Sequence, residues 1–293
     1  MIIAAATTAC GATHQRNDDR IILNTSIVTG AEAPRTQAHD ELITSDLPFL
    51  AAVFDGVGGS VRGDKAALAA AKSLQKSAEE NPSLPLVERL NRCVREVAEE
   101  QNMLEERDRA YTVGAGLFVD GDNGQSNPRL QLFHMGDCRI YRYTHDTFEL
   151  LTRDHSLAQR YRDEVGPDAE VPAHIAHVVT SYAGGTVEDP FEITSGFTLA
   201  PHDLFLICSV GFWEFAGIEK TKEILAHAAK LVASLDGANE FDREGLLIDF
   251  ADYTDELRGM ARMNLSHDDI SLVLVGYTCL LYTSPSPRDT ERS

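Results

Sequence analysis

The chain has few basic residues and no long apolar run. Its 293 residues include 26 Lys and Arg against 46 Asp and Glu, which gives a formal net charge of −20. This charge repels nucleic acid and anionic lipid, and no basic cluster reverses it locally. No apolar stretch reaches the roughly 18 residues of a membrane-spanning helix, and the apolar residues 1–6 lack the basic start of a signal peptide. We therefore expect a cytoplasmic protein without nucleic-acid or membrane partners.

Cysteine is also scarce. The chain has five cysteines, an odd number, and they are widely spaced. This pattern predicts neither a disulfide framework nor a CxxC zinc site, and most of the cysteines are expected to be small core residues. The acidic excess is mainly expected to serve solubility, although it also suits a protein that gathers hard cations.

Strand-like and helical patterns occur in separate groups. Short runs rich in Val, Ile, Leu and Phe predict strands at 21–23, 49–54, 113–119, 130–135, 139–143, 204–208 and 270–275. Helical spacing predicts helices at 64–80, 86–104, 218–235 and 241–262. Because helices come in pairs between groups of strands, we predict an α+β fold of antiparallel sheets covered by helices and not a doubly wound sheet. The runs within 130–143 are interpreted as a meander.

Two segments fall outside this pattern. Residues 160–177 combine Gly, Pro and charge and predict a surface flap. Residues 278–293, which contain Ser284-Pro285-Ser286-Pro287, have neither helical nor strand periodicity and are interpreted as a disordered or artefactual tail. The predicted domain therefore spans residues 1–277.

Acidic residues recur at the edges of predicted strands. Asp55 stands in Asp55-Gly56-Val57-Gly58-Gly59 between a strand and an Ala-rich helix, while Asp18-Asp19 and Asp268-Asp269 each precede a strand. Each segment alone could be an ordinary turn, and the glycine pattern lacks the Lys-Ser/Thr of a phosphate loop. Together, however, they provide the distant oxygen ligands that could converge on Mg²⁺ or Mn²⁺. Two such ions could activate a water for attack on phosphorus.

The motif order resembles one enzyme family. The motifs are Asn17-Asp18-Asp19, Asp55-Gly56-Val57-Gly58-Gly59, Val113-Gly114-Ala115-Gly116, Gly136-Asp137-Cys138-Arg139-Ile140-Tyr141, Leu151-Thr152-Arg153-Asp154-His155-Ser156, Ile207-Cys208-Ser209-Val210-Gly211-Phe212-Trp213 and Asp268-Asp269-Ile270-Ser271. None is very specific alone, but the ordered set resembles the metal-dependent (PPM, or type 2C) Ser/Thr protein phosphatases in their bacterial form. The resemblance implies a four-layer α-β-β-α sandwich with two Mg²⁺ or Mn²⁺ ions at one end.

The resemblance also implies roles for individual residues. Asp55 would bridge both metals as the central catalytic ligand, the Gly56 carbonyl and Asp18 would hold one metal, and Asp268 would hold the other. Asp19 would act as a ligand or hold a metal-bound water. Asp137 matches the position of an additional, weaker metal, and a hairpin-turn aspartate is the alternative for it.

Some residues depart from the family pattern. Val210 stands where the family has a metal-binding aspartate, and a valine cannot ligate. His14 stands at the position of the phosphate-binding catalytic arginine, for which Arg16 is a candidate substitute, and Asp269 replaces an asparagine. Asp154-His155-Ser156 cannot form a hydrolase triad, since adjacent residues of an extended chain point to opposite faces. Instead, we expect Ser156 to cap a helix that begins at Leu157.

Three functions remain open at this point. The first is a phosphatase acting on phosphoserine and phosphothreonine in proteins or peptides. The second is a catalytically weak or inactive regulatory module that binds such partners, as the loss of an aspartate at Val210 permits. The third is a metal-dependent phosphoesterase for small molecules.

Overall fold

The protein consists of two packed sheets with helices outside them. The computed structural model describes residues 1–30, 38–57, 62–120, 128–185, 190–264 and 266–278. The strands are β1 (Ile2–Ala9), β2 (Arg20–Leu23), β3 (Ser26–Thr29), β4 (His39–Ser45), β5 (Phe49–Gly56), β6 (Thr112–Val119), β7 (Arg129–Met135), β8 (Arg139–Thr144), β9 (Thr147–Leu150), β10 (Glu192–Thr198), β11 (Leu204–Cys208) and β12 (Ile270–Tyr277). The helices are α1 (Gly63–Glu80), α2 (Leu86–Asn102), α3 (Leu157–Val165), α4 (Val210–Trp213), α5 (Ile218–Leu235) and α6 (Glu240–Met263).

Both sheets have six strands among the described residues, and every pairing is antiparallel. The first has the order β4-β1-β12-β11-β8-β9 and the second β10-β7-β6-β5-β2-β3. The chain passes between the sheets more than once, because β1 and β4 lie in the first sheet while β2 and β3, between them in sequence, lie in the second. In the first sheet β1 pairs with β12, from the opposite end of the sequence. Ends of strands that are far apart in the sequence therefore lie together at one end of the sandwich.

Three apolar layers hold the four structural layers together. Between the sheets lie alternate residues of the central strands, such as Ile2, Val53 and Val273. Helices α5 and α6 cover the outer face of the first sheet, and α1 and α2 cover that of the second. Since central strands are buried on both faces, they are apolar throughout, which is why they are recognisable as short continuous runs. The predicted four-layer α-β-β-α sandwich is confirmed.

The predicted strands and the four long helices are confirmed, with boundary shifts of a few residues. Ser156 also caps α3 as expected, since its Oγ accepts a hydrogen bond from the backbone N–H of Gln159 at 3.1 Å. Five strands were not predicted: β1, β3, β4, β9 and β10. Of these, β1 is rich in alanine, and β10 is a partly exposed edge strand with a register shift between Ser195 and Phe197.

Two interpretations of the sequence are corrected. The runs within 130–143 do not form a meander, because β7 and β8 belong to different sheets. The residues between them cross from one sheet to the other, so Asp137 is not in a hairpin turn. The predicted flap at 160–177 begins inside helix α3, and only the part after Val165 lacks regular structure.

The predicted tail lies outside the described residues except for Thr278. Within the described ranges, no helix has the length and apolar character to cross a bilayer.

Candidate metal centre

The acidic residues predicted from the sequence meet at one end of the sandwich. In the second sheet Arg20 of β2 pairs with Phe54 of β5, which places the next residues outward, Asp19 and Asp55, at the same sheet end. In the first sheet Ala9 of β1 pairs with Ile270 of β12, so Asp268 and Asp269 stand at the corresponding end. Strand order and register therefore gather carboxylates from segments far apart in the sequence.

Burial and like charge act together on these carboxylates. Asp55 is 6% exposed, and burial raises its pKa well above the ordinary value, as do the charges of Asp19, Asp268 and Asp137. Asp19 is 1% exposed, and burial, followed by the charges of Asp269 and Asp268, raises its pKa in the same way. Such mutual repulsion in a buried site is relieved when a cation binds among the oxygens.

Two further oxygens lie close to the backbone of Gly63. A Cβ atom at residue 63 would lie 3.0 Å from both Asp18 Oδ2 and the carbonyl oxygen of Gly56. A side chain at residue 63 would therefore crowd both oxygens, and glycine avoids this. Asp18 is half-buried, and burial raises its pKa. Gly58 and Gly59 of the same motif lie outside the described residues.

Asp269 has a role that the sequence did not reveal. Its buried side chain accepts hydrogen bonds from the backbone N–H groups of Gly11 (2.7 Å) and Asp18 (2.6 Å). It thereby fixes the loop between β1 and β2, which carries Asp18 and Asp19. An asparagine has a single acceptor oxygen, so the second anionic oxygen is what permits both contacts.

His14 and Arg16 lie beside the carboxylates in different ways. His14 Nδ1 is 3.2 Å from Asp269 Oδ1 and 3.7 Å from Asp268 Oδ1. The hydrogen bond to Asp269 raises the pKa of His14 to about 9 despite partial burial, so the ring is cationic at neutral pH. Arg16 Nε is 2.9 Å from Asp18 Oδ1, and its terminal nitrogen is 3.1 Å from Asp64 on α1. Arg16 is thus directed towards the site, which the sequence alone could not establish.

Asp137 is held at the crossing between β7 and β8. Its backbone carbonyl accepts a hydrogen bond from Trp213 Nε1 at 2.8 Å, and burial, followed by the charge of Asp154, raises the pKa of its side chain to about 7. The guanidinium of Arg139 lies 3.4 Å from the centre of the Trp213 ring and forms two hydrogen bonds with Asp154, of 2.9 and 2.7 Å. This network connects the Asp137 segment to α4 and was not predicted.

Val210 begins α4 next to the late aspartates. The following residue, Gly211, is so close to the segment before β12 that a Cβ there would lie 2.1 Å from the carbonyl oxygen of Asp269. The Oγ of Ser209 donates to that same carbonyl at 3.2 Å. The backbone around residue 210 is therefore packed against the Asp268-Asp269 segment, but the valine side chain provides no ligand atom.

The residues at this end fit hard divalent cations. The available atoms are carboxylate and carbonyl oxygens, which Mg²⁺ and Mn²⁺ prefer. Asp19 Oδ2 is buried and has no hydrogen-bond partner in the described part of the chain. A buried carboxylate oxygen without a hydrogen bond is costly in its ionised form, and a bound cation would offset that cost.

Comparisons with known proteins agree with the fold. No protein-family model matches the chain, and no curated protein matches it in sequence. Solved structures, in contrast, match the chain in fold. The Mycobacterium tuberculosis serine/threonine phosphatase PstP/Ppp is 20% identical, with a TM-score of 0.67 over 95% of this chain and 100% of that chain. The PPM Ser-Thr phosphatase MsPP from Mycobacterium smegmatis, in complex with cacodylate, is 22% identical, with a TM-score of 0.65 over 94% of this chain and 97% of that chain.

A third structure concerns metal. The catalytic domain of the protein phosphatase PstP was solved in complex with 2 manganese ions, and it is 20% identical to this chain. Its TM-score is 0.64 over 95% of this chain and 100% of that chain. The chain therefore has the fold of PPM-type bacterial Ser/Thr phosphatases, and the resemblance found in the sequence is confirmed at the level of the fold.

Proposed function

We propose that the chain is a metal-dependent protein phosphatase that hydrolyses phosphoserine and phosphothreonine in cytoplasmic proteins or peptides. Residues 1–277 are assigned to the catalytic domain. The observation that carries the proposal is the convergence of Asp18, Asp19, Asp55 and Asp268 at one end of a fold that phosphatases share. Repulsion among these buried carboxylates favours binding of Mg²⁺ or Mn²⁺.

In this proposal each acidic residue of the site has a separate role. Asp55 would serve both cations, Asp18 and the Gly56 carbonyl would hold one of them, and Asp268 would hold the other. Asp19 would be a direct ligand or would orient a water, and Asp137 would hold an additional, weaker cation. When bound, two such cations would lower the pKa of a water and align it with the phosphorus.

Two cationic side chains lie beside the acidic residues of the proposed site. Arg16 carries a permanent charge beside Asp18, and it is partly exposed. We assign Arg16 to phosphate binding in place of the missing arginine, because a guanidinium can donate two parallel hydrogen bonds to phosphate oxygens. His14, held by Asp269, contributes positive charge and keeps Asp268 in position.

The test is hydrolysis of an aryl phosphate and of a phosphoserine peptide with added Mn²⁺ or Mg²⁺. We expect metal-dependent turnover that Asp55→Asn abolishes, whereas Asp249→Asn, an exposed aspartate on α6, leaves it unchanged. Turnover that persists in Asp55→Asn would exclude this site. A preference for small phosphorylated metabolites over the peptide would favour a small-molecule phosphoesterase instead.

A second function is favoured by one observation, the valine at position 210. Without that carboxylate, the metal held by Asp268 has one anionic ligand fewer, which suits a weak or inactive phosphatase that binds phosphoproteins as a regulatory module. If turnover is absent in the wild type and emerges in Val210→Asp, the regulatory function is supported. Val210→Asn is the matched control, because it adds a polar side chain of the same size without the charge.

A further inference from the structure

A second cluster of possible metal ligands lies outside the carboxylate site. His134 on β7 and Glu192 on β10 are direct partners across the two strands, and His155 lies on the segment that precedes α3. One ligand atom from each residue can be chosen so that all three lie within 4.8 Å of one another. The centres of the two imidazole rings are 4.5 Å apart. None of the three residues has a role in the proposed phosphatase reaction.

The hydrogen bond of His134 determines which ring nitrogen is available. His134 Nε2 lies 2.9 Å from the carbonyl oxygen of Arg153. Since a carbonyl can only accept, the proton is on Nε2 and the lone pair is on Nδ1. The ring is 3% exposed, and burial lowers its pKa, which favours the neutral form that binds metals. Metal-binding histidines commonly donate their other N–H to a backbone carbonyl in this way.

His155 and Glu192 already have the spacing of two ligands on one ion. His155 Nε2 is 3.2 Å from Glu192 Oε2. Two ligands at about 2.0–2.1 Å from a tetrahedral Zn²⁺ are about 3.3 Å apart. Binding through Nε2 moves the remaining ring proton of His155 to Nδ1, which gives up only a long contact of 3.4 Å from the backbone N–H of Gly136. The backbone of His155 stays fixed, because its N–H donates to the Gly136 carbonyl at 2.7 Å.

We propose that His134, His155 and Glu192 form a binding site for Zn²⁺ or a transition metal with similar ligand preferences. This site is distinct from the proposed Mg²⁺ or Mn²⁺ site around Asp55. Two imidazoles and one carboxylate are a ligand set that Zn²⁺ accepts, with a solvent molecule completing the coordination. Glu192 is exposed, so the site is open to solvent. The metal would attach the edge strand β10 to the segment before α3, close to the crossing that carries Asp137.

The test is a titration of the full-length protein with Zn²⁺ in excess Mg²⁺, followed by calorimetry and by NMR of the histidine rings. We expect the ring signals of His134 and His155 to shift together, while those of the exposed His174 do not. Glu192→Gln and His155→Gln should each weaken this binding at least about tenfold. Both changes are at partly or fully exposed side chains, so the fold should be retained, which circular dichroism would verify.

The matched controls are Glu149→Gln, an exposed glutamate on the edge strand of the other sheet, and His174→Gln. Both should bind Zn²⁺ as the wild type does. The proposal is overturned if the rings of His134 and His155 do not respond to Zn²⁺, which would leave the cluster as structural hydrogen bonds only. It is equally overturned if Glu192→Gln and His155→Gln bind Zn²⁺ as tightly as the two controls.

Discussion

The buried ion pair between Arg139 and Asp154 allows a quantitative test of how the Asp137 segment is held. The two side chains are largely buried, 17% and 5% exposed, and form two hydrogen bonds of 2.9 and 2.7 Å. In Asp154→Asn, an amide replaces one anionic oxygen, and the Arg139 charge is left buried without its counter-charge. Breaking such a buried pair from one side costs about 3 kcal/mol.

A loss of this size should be easy to measure. For a domain of this length, about 3 kcal/mol corresponds to a decrease in Tm of about 5 °C. The assays are thermal and urea unfolding followed by fluorescence, because Trp213 is the single tryptophan of the chain and lies against the Arg139 guanidinium. The change in its native-state emission reports on the local environment, and the unfolding midpoint reports on stability.

An exposed ion pair of similar length is the control. Arg107 and Glu105 are 2.8 Å apart, but their side chains are 78% and 71% exposed. Water screens this pair, so we expect Glu105→Gln to cost about 0–0.5 kcal/mol. If the two variants lose the same stability, burial is not what makes the Arg139 pair strong, and the reasoning is refuted.

Two further predictions concern buried carboxylates. Asp203 is fully buried and accepts hydrogen bonds from Arg142 (2.6 Å) and from the backbone N–H of Ala200 (2.9 Å). Asp203→Asn should therefore lower the free energy of unfolding, measured in urea, by about 3 kcal/mol. An unchanged midpoint would contradict this. With chelator present, the protein should lose stability as the pH rises from about 4 towards neutrality. The pKa values of Asp19 and Asp55 are raised in the folded protein, so these side chains lose their protons at lower pH in the unfolded chain, which favours unfolding. Added Mn²⁺ should remove this slope in thermal melts, and a slope that persists with Mn²⁺ would argue against a cation at these residues.

The strands that the sequence predicted differ in burial from β10, which it did not predict. Strands buried on both faces, such as β5 and β12, were predicted because an unbroken run of large apolar residues is a strong local signal. β10 was missed because an exposed, irregular edge strand has no such signal. The prediction of a meander was wrong for a related reason. The residues of β7 and β8 would fit either sheet, so their sequences do not indicate that the two strands belong to different sheets.

For the candidate site, too, the sequence predicted some features and only the structure revealed others. The sequence by itself determined which oxygen-bearing residues stand at strand ends, because Asp55 and Asp268 are adjacent to recognisable strands. Only the tertiary structure decided that Asp269 fixes the loop of Asp18, that Arg16 is directed at the site, and that Arg139, Asp154 and Trp213 hold the Asp137 segment. These contacts join residues distant in sequence, and their geometry depends on how the two sheets pack, which no local pattern encodes.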